Sequence, residues 1–189
     1  MKSYKAEAIV LGERNLGEAD KILTLFSQHE GKLRVVAKGI RRVKSRKAGS
    51  LADFRRVRLV LAKGRSLDII TEVELLNQRR GWRGDLVRVG LAYYLTEIVD
   101  RLTAERQSHP GVYLGLAEAL DQLDQPRPGQ LVRPFEELVL TELGFGVPER
   151  MKENKASLVN FIEEVAERSI KSSQVLRKLK NDRIITGKN

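Results

Sequence analysis

Between Lys32 and Lys47 the chain carries eight lysines and arginines and no acid. The densest part of the run is Lys38-Gly39-Ile40-Arg41-Arg42-Val43-Lys44-Ser45-Arg46-Lys47. Cations this crowded repel one another, and a polyanion lying along them supplies the missing counter-charge. The chemistry on offer is therefore neutralisation of phosphates, with no bond made or broken. A solvated loop that merely aids solubility is the plainer reading, and the density of charge argues against it. The rest of the chain sharpens the contrast. The formal net charge is +10, and residues 1–80 account for all of it, with 19 basic and 9 acidic side chains. Within residues 32–65, 13 basic side chains face Asp53 as the single acid. Residues 81–149 are acidic (6 basic, 11 acidic) and residues 150–189 basic again (10 basic, 5 acidic), so three charge regimes imply three structural pieces.

Other chemistries find little support. There is no cysteine, which removes disulfides, thiolate zinc sites, iron–sulfur clusters and cysteine nucleophiles. His29 and His109 are the two histidines, each beside an expected turn or helix start, so neither paired-histidine metal sites nor a Ser-His-Asp triad is suggested. Neither G-x-G-x-x-G nor the P-loop pattern occurs, and Gly31-Lys32 reads as a turn. Asp20 with Glu30-x-Lys32 has the residue types of a metal-dependent nuclease, but three common residues at loose spacing arise by chance. No catalytic site, cofactor or metal is expected. The first residues lack the apolar core of a signal peptide and no window is apolar enough to span a membrane, so a cytoplasmic protein is expected.

The elements that would position the cations are strands. Period-two alternation marks five runs, Tyr4 to Leu11, Asp20 to Phe26, Lys32 to Lys38, Phe54 to Leu61 and Leu67 to Leu75. Turn signals separate them at Gly12 to Gly17, Glu30-Gly31, Gly49-Ser50 and Lys63-Gly64. Leu33, Val35 and Ala37 would face inward, with Lys32, Arg34 and Lys38 outward, and Val57, Leu59 and Leu61 would alternate with Arg56 and Arg58. A one-residue slip would bury those cations, so the register is well specified. Five short strands suit an OB-type barrel, which binds single strands across one face; an SH3-like barrel fits the same count. The nucleic-acid footprint is then Arg41, Arg42, Lys44, Arg46 and Lys47 on the loop, with Lys32, Arg34, Lys38, Arg56 and Arg58 on the strands beside it. Aromatic content is 5%, too low for a row of stacking rings, so binding should be dominated by the backbone and weakly selective for sequence.

Beyond Gln78 the period becomes helical. Helices are expected over Asp85 to Leu102, from Pro110 through Leu123, and over Leu131 to Leu143 with Gly144 as the stop. A further apolar face, Leu158, Phe161, Ile162, Val165 and Ala166, has Asn154 as its N-cap, and Ser172-Ser173 interrupts it before Val175, Leu176 and Leu179. Trp82, at the entry to the first helix, should pack between domains. The class is α+β: a five-stranded barrel over residues 1–78 and an α-helical domain over 79–189 with a basic tail.

These residues resemble the RecO family of bacterial recombination mediators. The match runs through Gly17-Glu18-Ala19-Asp20-Lys21, Glu30-Gly31-Lys32, Ala37-Lys38-Gly39-Ile40-Arg41-Arg42, Ser45-Arg46 and Gly49-Ser50-Leu51. It resumes at Tyr94-Leu95-Thr96-Glu97-Ile98, then Arg133-Pro134-Phe135-Glu136 leading to Leu143-Gly144-Phe145-Gly146-Val147-Pro148, about 150 residues in all. Ile170-Lys171-Ser172-Ser173-Gln174-Val175-Leu176 is similar to the family's closing helix. The resemblance implies an OB-fold with a helical domain, and binding of single- and double-stranded DNA. It also implies annealing of complementary strands, work with RecR to load RecA onto DNA coated by single-strand-binding protein, and a bacterial, nucleoid-associated location. It implies as well a partner site for the acidic, apolar-ended tail of single-strand-binding protein, for which Arg133 beside the third helix, with Lys171, Arg177 and Lys178, supplies the cations. The sequence departs from the family in lacking the four-cysteine zinc module after Pro148, in having Arg133 alone before Pro134-Phe135, and in a shortened segment 148–189. An RNA-binding barrel of the translation machinery is the main alternative, and a protein partner whose charge is incidental is another. Matched single-stranded DNA and RNA would separate the first two readings.

Overall fold

A computed structural model describes residues 2–42, 45, 47–76, 81–152 and 158–174. The N-terminal sequence folds into five strands, β1 (Ser3–Leu16), β2 (Asp20–Ser27), β3 (Gly31–Ala37), β4 (Arg56–Ala62) and β5 (Asp68–Leu75). They close into a barrel in the order β1-β2-β3-β5-β4, with β3 and β5 parallel through Val35↔Asp68 and Val36↔Ile69 and all other pairs antiparallel. This Greek-key closure is that of an OB-fold and sets the SH3-like alternative aside. Alternation along β3 is as expected: Leu33, Val35 and Ala37 are buried and Arg34 is exposed. In β4, Val57, Leu59 and Leu61 enter the same core and Arg58 stays out.

Two strand boundaries differ from expectation. β1 does not turn at Gly12 but runs to Leu16, after a bulge between Val10 and Gly12 that bends it. The bend lets one strand pair with β4 along its first half and β2 along its second. Glu13, Arg14 and Asn15 pair with Leu23, Ile22 and Lys21, yet all three are exposed, so no alternation betrays the strand. Gly17, at φ +59, makes the actual turn. Phe54 does not begin β4. It sits buried in the left-handed region at φ +65, and its N–H donates to Val10 O at 2.8 Å while Val10 N–H donates to Arg55 O at 2.9 Å.

The segment Ala104–Tyr113 packs with residues 1–79 as one compact unit; Arg80–Thr103 with residues 114–189 forms the other. In the first unit, Glu105 bridges to Lys32 and Arg106 N–H donates to Lys32 O at 3.0 Å. The segment thus occupies the edge of β3 that its two-residue pairing with β5 leaves open.

The second unit is helical. Asp85 caps α1 (Leu86–Leu102) by accepting from Val87 N–H at 2.9 Å and Arg88 N–H at 3.2 Å. α2 (Pro110–Gln122) starts at its proline and belongs to this unit from Leu114 on, and α3 (Val132–Glu142) follows a 3₁₀ turn at Pro128–Leu131. Gly144, at φ +80, ends α3 where a side chain would be strained, and Phe145 and Gly146 N–H both return to Leu140 O. Two short helices follow, α4 (Glu149–Lys152) and α5 (Val159–Val165). The break in the tail falls at residues 166–170, not at Ser172-Ser173, which are buried in the next helical turn. There Glu97 of α1 accepts from Lys171 N–H (3.0 Å), Ser172 N–H (2.8 Å) and Ser172 Oγ–H (2.6 Å), capping that turn. Trp82 is buried, and its Nε1–H donates to Leu120 O at 3.0 Å within this unit. Asn154, Val175, Leu176 and Leu179 lie outside the described residues. No helix among the described residues is long and apolar enough to cross a membrane.

Candidate nucleic-acid interface

The basic loop leaves β3 at Lys38, and its described residues are tied to the barrel. Gly39, at φ +67, donates its N–H to Asp20 Oδ1 at 2.7 Å, and Arg41 N–H donates to Ala19 O at 3.0 Å. Ile40 and Leu51 insert into the barrel core, anchoring both arms of the loop by burial. What remains outside is charge. Lys38, Arg41 and Arg42 are exposed and make no ion pair with any described carboxylate; Arg41 NH1 donates to Gly17 O at 2.9 Å. Lys47 is half-buried, its ammonium donating to Ile70 O (3.2 Å) and Thr71 O (2.9 Å) on β5, so it fastens the loop. Lys44 and Arg46 lie outside the described residues.

The strand cations have different surroundings. Arg34 pairs with Glu105 at 2.5 Å. Arg58 pairs with Glu74 at 2.8 Å and approaches Glu7 at 3.9 Å, and Arg56 lies 3.7 Å from the same Glu7. Glu7 also accepts from the Tyr113 hydroxyl at 3.0 Å. Burial, and then the Glu7 charge, push the Tyr113 hydroxyl well above its ordinary range, so it stays a donor. Lys32 is half-buried beside the strap formed by residues 104–109. The geometry therefore separates Lys38, Arg41 and Arg42, which present uncompensated charge, from Arg34, Arg56 and Arg58, which carry a carboxylate each.

Asp20 and Glu30 do not make a nuclease-like pair. They stand at opposite ends of β2, roughly 20 Å apart for a strand of that length. Asp20 holds the basic loop, while Glu30 lies 3.8 Å from Arg106. Among the described residues no cluster of histidine or carboxylate side chains could hold a metal ion.

Sequence reasoning missed the network that seats the strap. Asp68, which is buried, accepts from the Tyr4 hydroxyl and from Arg106 NH2, each at 2.6 Å, and from Gly64 N–H at 3.2 Å. Burial opposes ionisation of Asp68, but these donors outweigh it and hold the carboxyl below its ordinary range. Burial and the bond to Asp68 push the Tyr4 hydroxyl up to about 12. In the helical unit burial likewise opposes ionisation of Glu97, and Ser172, the two backbone amides and Arg101 lower it on balance. A carboxyl whose folded pKa is depressed contributes stability that is complete above its unfolded value of about 4 and is lost as pH falls through the folded one. Melting temperature should therefore fall steeply with acid below about pH 4. Asp68→Asn should flatten that fall while lowering the melting temperature at pH 7. Circular dichroism melts at stepped pH check this, and equal acid sensitivity in wild type and variant would contradict it.

Of the cations expected at a partner site, Arg133 is engaged, its Nε donating to Glu137 at 2.6 Å and NH2 to Met151 O at 2.7 Å. Lys171 is exposed; Arg177 and Lys178 lie outside the described residues. A groove of about 390 Å³ runs between α2 and α3, lined by Ala119, Leu131, Phe135 and Leu138 among others, and also by Arg127. Arg127 lies in Pro126-Arg127-Pro128, a stretch whose prolines signal only a helix stop.

A closed five-strand OB barrel with an exposed basic loop, followed by a helical domain, defines an OB-fold protein of two-part architecture. Residues 1–79 match the family described as Recombination protein O N terminal, and residues 83–150 match Recombination protein O C terminal. The chain belongs to the RecO family. It is 40% identical over 146 residues to the DNA repair protein RecO of Desulforudis audaxviator, covering 77% of this chain and 59% of that protein. It is 42% identical over 147 residues to the DNA repair protein RecO of Symbiobacterium thermophilum, covering 77% and 58%. The chain thus spans less than two thirds of the length of these curated relatives.

Proposed function

We propose that this chain acts in DNA repair and recombination by binding the phosphate backbone of single- and double-stranded DNA, annealing complementary strands and helping to load a recombinase onto DNA coated by single-strand-binding protein. The observation that carries this reading is the basic loop. Lys38, Arg41 and Arg42 are exposed, unpaired with any described carboxylate, and held by Gly39, Ile40 and Leu51 on a rigid barrel. Such cations bind by releasing condensed counterions, which needs no catalytic residue. Lys44 and Arg46 extend the same run in sequence, and Arg34, Arg56, Arg58, Lys32 and Lys47 serve as its flanks and anchors.

The family name of the relatives, DNA repair protein RecO, supports the repair role. An acidic, apolar-ended peptide such as the tail of single-strand-binding protein would suit the groove between α2 and α3, where Arg127 supplies positive charge; Arg133 and Lys171 do not line that groove. RecR is the further partner on this reading, without an assigned surface.

Strand annealing tests the proposal. Two complementary oligonucleotides, each coated by single-strand-binding protein, should anneal many times faster with the wild type than alone, and a variant with Lys38, Arg41 and Arg42 changed to Ala should lose most of the acceleration. Annealing at the spontaneous rate in the presence of wild type would contradict it. Preference for matched RNA over DNA would favour the translation-associated reading instead.

A further inference from the structure

The barrel carries a second group of cations that no described carboxylate neutralises. Lys63 N–H donates to Lys2 O at 2.9 Å, and β1 and β4 continue in register through Ser3↔Ala62 and Lys5↔Val60. Lys2 and Lys63 are thus side by side on the strand face that Tyr4 and Leu61 share, Arg65 lies in the β4–β5 turn, and alternation turns Lys5 to the opposite, outer face, so the cations flank this end of the barrel from both sides. All four are exposed, and none makes a hydrogen bond or ion pair through its side chain with a described residue. The acid nearest the turn in sequence, Asp68, is buried and committed to Tyr4, Arg106 and Gly64. Glu72 lies across β4 from Lys5 with Val60 between them, roughly 10 Å away at the usual strand spacing.

The turn is also stiff. A Cβ on Gly64 would lie 1.9 Å from Leu67 O, so only glycine fits there, and Asp68 accepts from Gly64 N–H to close the turn. Arg106 reaches in from the strap to hold Asp68, so the backbone beneath these cations is fixed from two sides. β4 separates this turn from the basic loop that runs into Arg56, a distance of roughly 20 Å along the strand.

We propose that the β4–β5 turn and the start of β1 form a second phosphate-binding surface, in which Lys2, Lys5, Lys63 and Arg65 hold a nucleic-acid backbone. The surface rests on the nucleic-acid reading above and extends it beyond the basic loop. Preorganisation favours this use: mutually repelling cations on a rigid turn gain from a polyanion, whereas Arg34, Arg56 and Arg58 must first give up a carboxylate.

The test compares the wild type with a variant in which Lys2, Lys5, Lys63 and Arg65 are all Ala, measuring anisotropy of a labelled single strand of about 30 nucleotides across a salt series. Losing three to four phosphate contacts, at about 0.7 each, should flatten the log-affinity against log-salt slope by about two to three units and weaken binding about tenfold or more near 0.1 M salt. A charge-keeping variant, Lys63→Arg with Arg65→Lys, should bind as the wild type does. Wild-type binding with an unchanged affinity and slope in the quadruple variant overturns the second surface alone. A wild type that binds no strand overturns the nucleic-acid reading and this surface with it. Vesicles rich in phosphatidylserine provide the remaining arm: if they lose binding in the quadruple variant while the oligonucleotide does not, the patch is a membrane contact and the proposal fails.

Discussion

Glu136→Ala is expected to cost the helical unit about 3 kcal/mol, seen as a lower urea midpoint with little change in slope. Glu136 is fully buried on α3. Its Oε1 accepts from the Tyr94 hydroxyl of α1 at 2.5 Å, and its Oε2 accepts from Leu158 N–H, just before α5, at 2.7 Å. One carboxylate therefore joins three elements. Removing it spares the desolvation of a buried charge, which lessens the loss. It also leaves a buried hydroxyl and a buried amide without that acceptor, each costing on the order of 1–3 kcal/mol, and opens a cavity. The second effect wins because neither donor can reach water. Glu136→Gln keeps an acceptor oxygen and should cost less than half as much. Equal losses for Ala and Gln would show that the carboxylate serves packing alone.

Gly31→Ala should unseat the strap formed by residues 104–109. Gly31 has φ +68, and a Cβ there would lie 2.0 Å from Gln107 O and 2.4 Å from Gln107 C. The obstruction is backbone and cannot rotate away. Left-handed strain of about 1 kcal/mol adds to an overpacking cost of about 1–3 kcal/mol. The chain escapes by releasing the strap, giving up Arg106 N–H to Lys32 O, Ser108 Oγ–H to Gln28 O and the Arg106–Asp68 pair. Trypsin should then cleave after Arg106 at least about tenfold faster, with a melting temperature several degrees lower. Cleavage at the wild-type rate would mean that the strap does not depend on this close approach.

The barrel was legible in the sequence wherever one face of a strand is buried, because Leu33, Val35 and Ala37, or Val57, Leu59 and Leu61, recur with period two. It was illegible where both faces meet solvent, as at Glu13 to Asn15, and where a buried Phe54 adopts a left-handed conformation that its residue type disfavours. Helix ends were readable from local chemistry at Asp85, Pro110 and Gly144. The strap left no periodic signal, since it is held by side chains distant in sequence. For the same reason the footprint was only half visible. Counting cations finds Arg34, Arg56 and Arg58, but their neutralisers, Glu105, Glu7 and Glu74, reach them only through strand pairing and the returning strap. Lys38, Arg41 and Arg42 stand out in sequence and in structure because residues 38–47 contain no acid to pair with them.

Whether the basic loop binds the phosphate backbone is read most directly from the salt dependence of DNA binding. Anisotropy of a labelled oligonucleotide should give a log-affinity against log-salt slope that becomes shallower by about two units when Lys38, Arg41 and Arg42 are changed to Ala, as expected for three lost contacts at about 0.7 each. Affinity should drop by a similar factor for every base sequence, and circular dichroism should report an unchanged fold, because exposed, crowded cations add little stability. A variant that folds normally and binds with the wild-type affinity and slope would contradict the account.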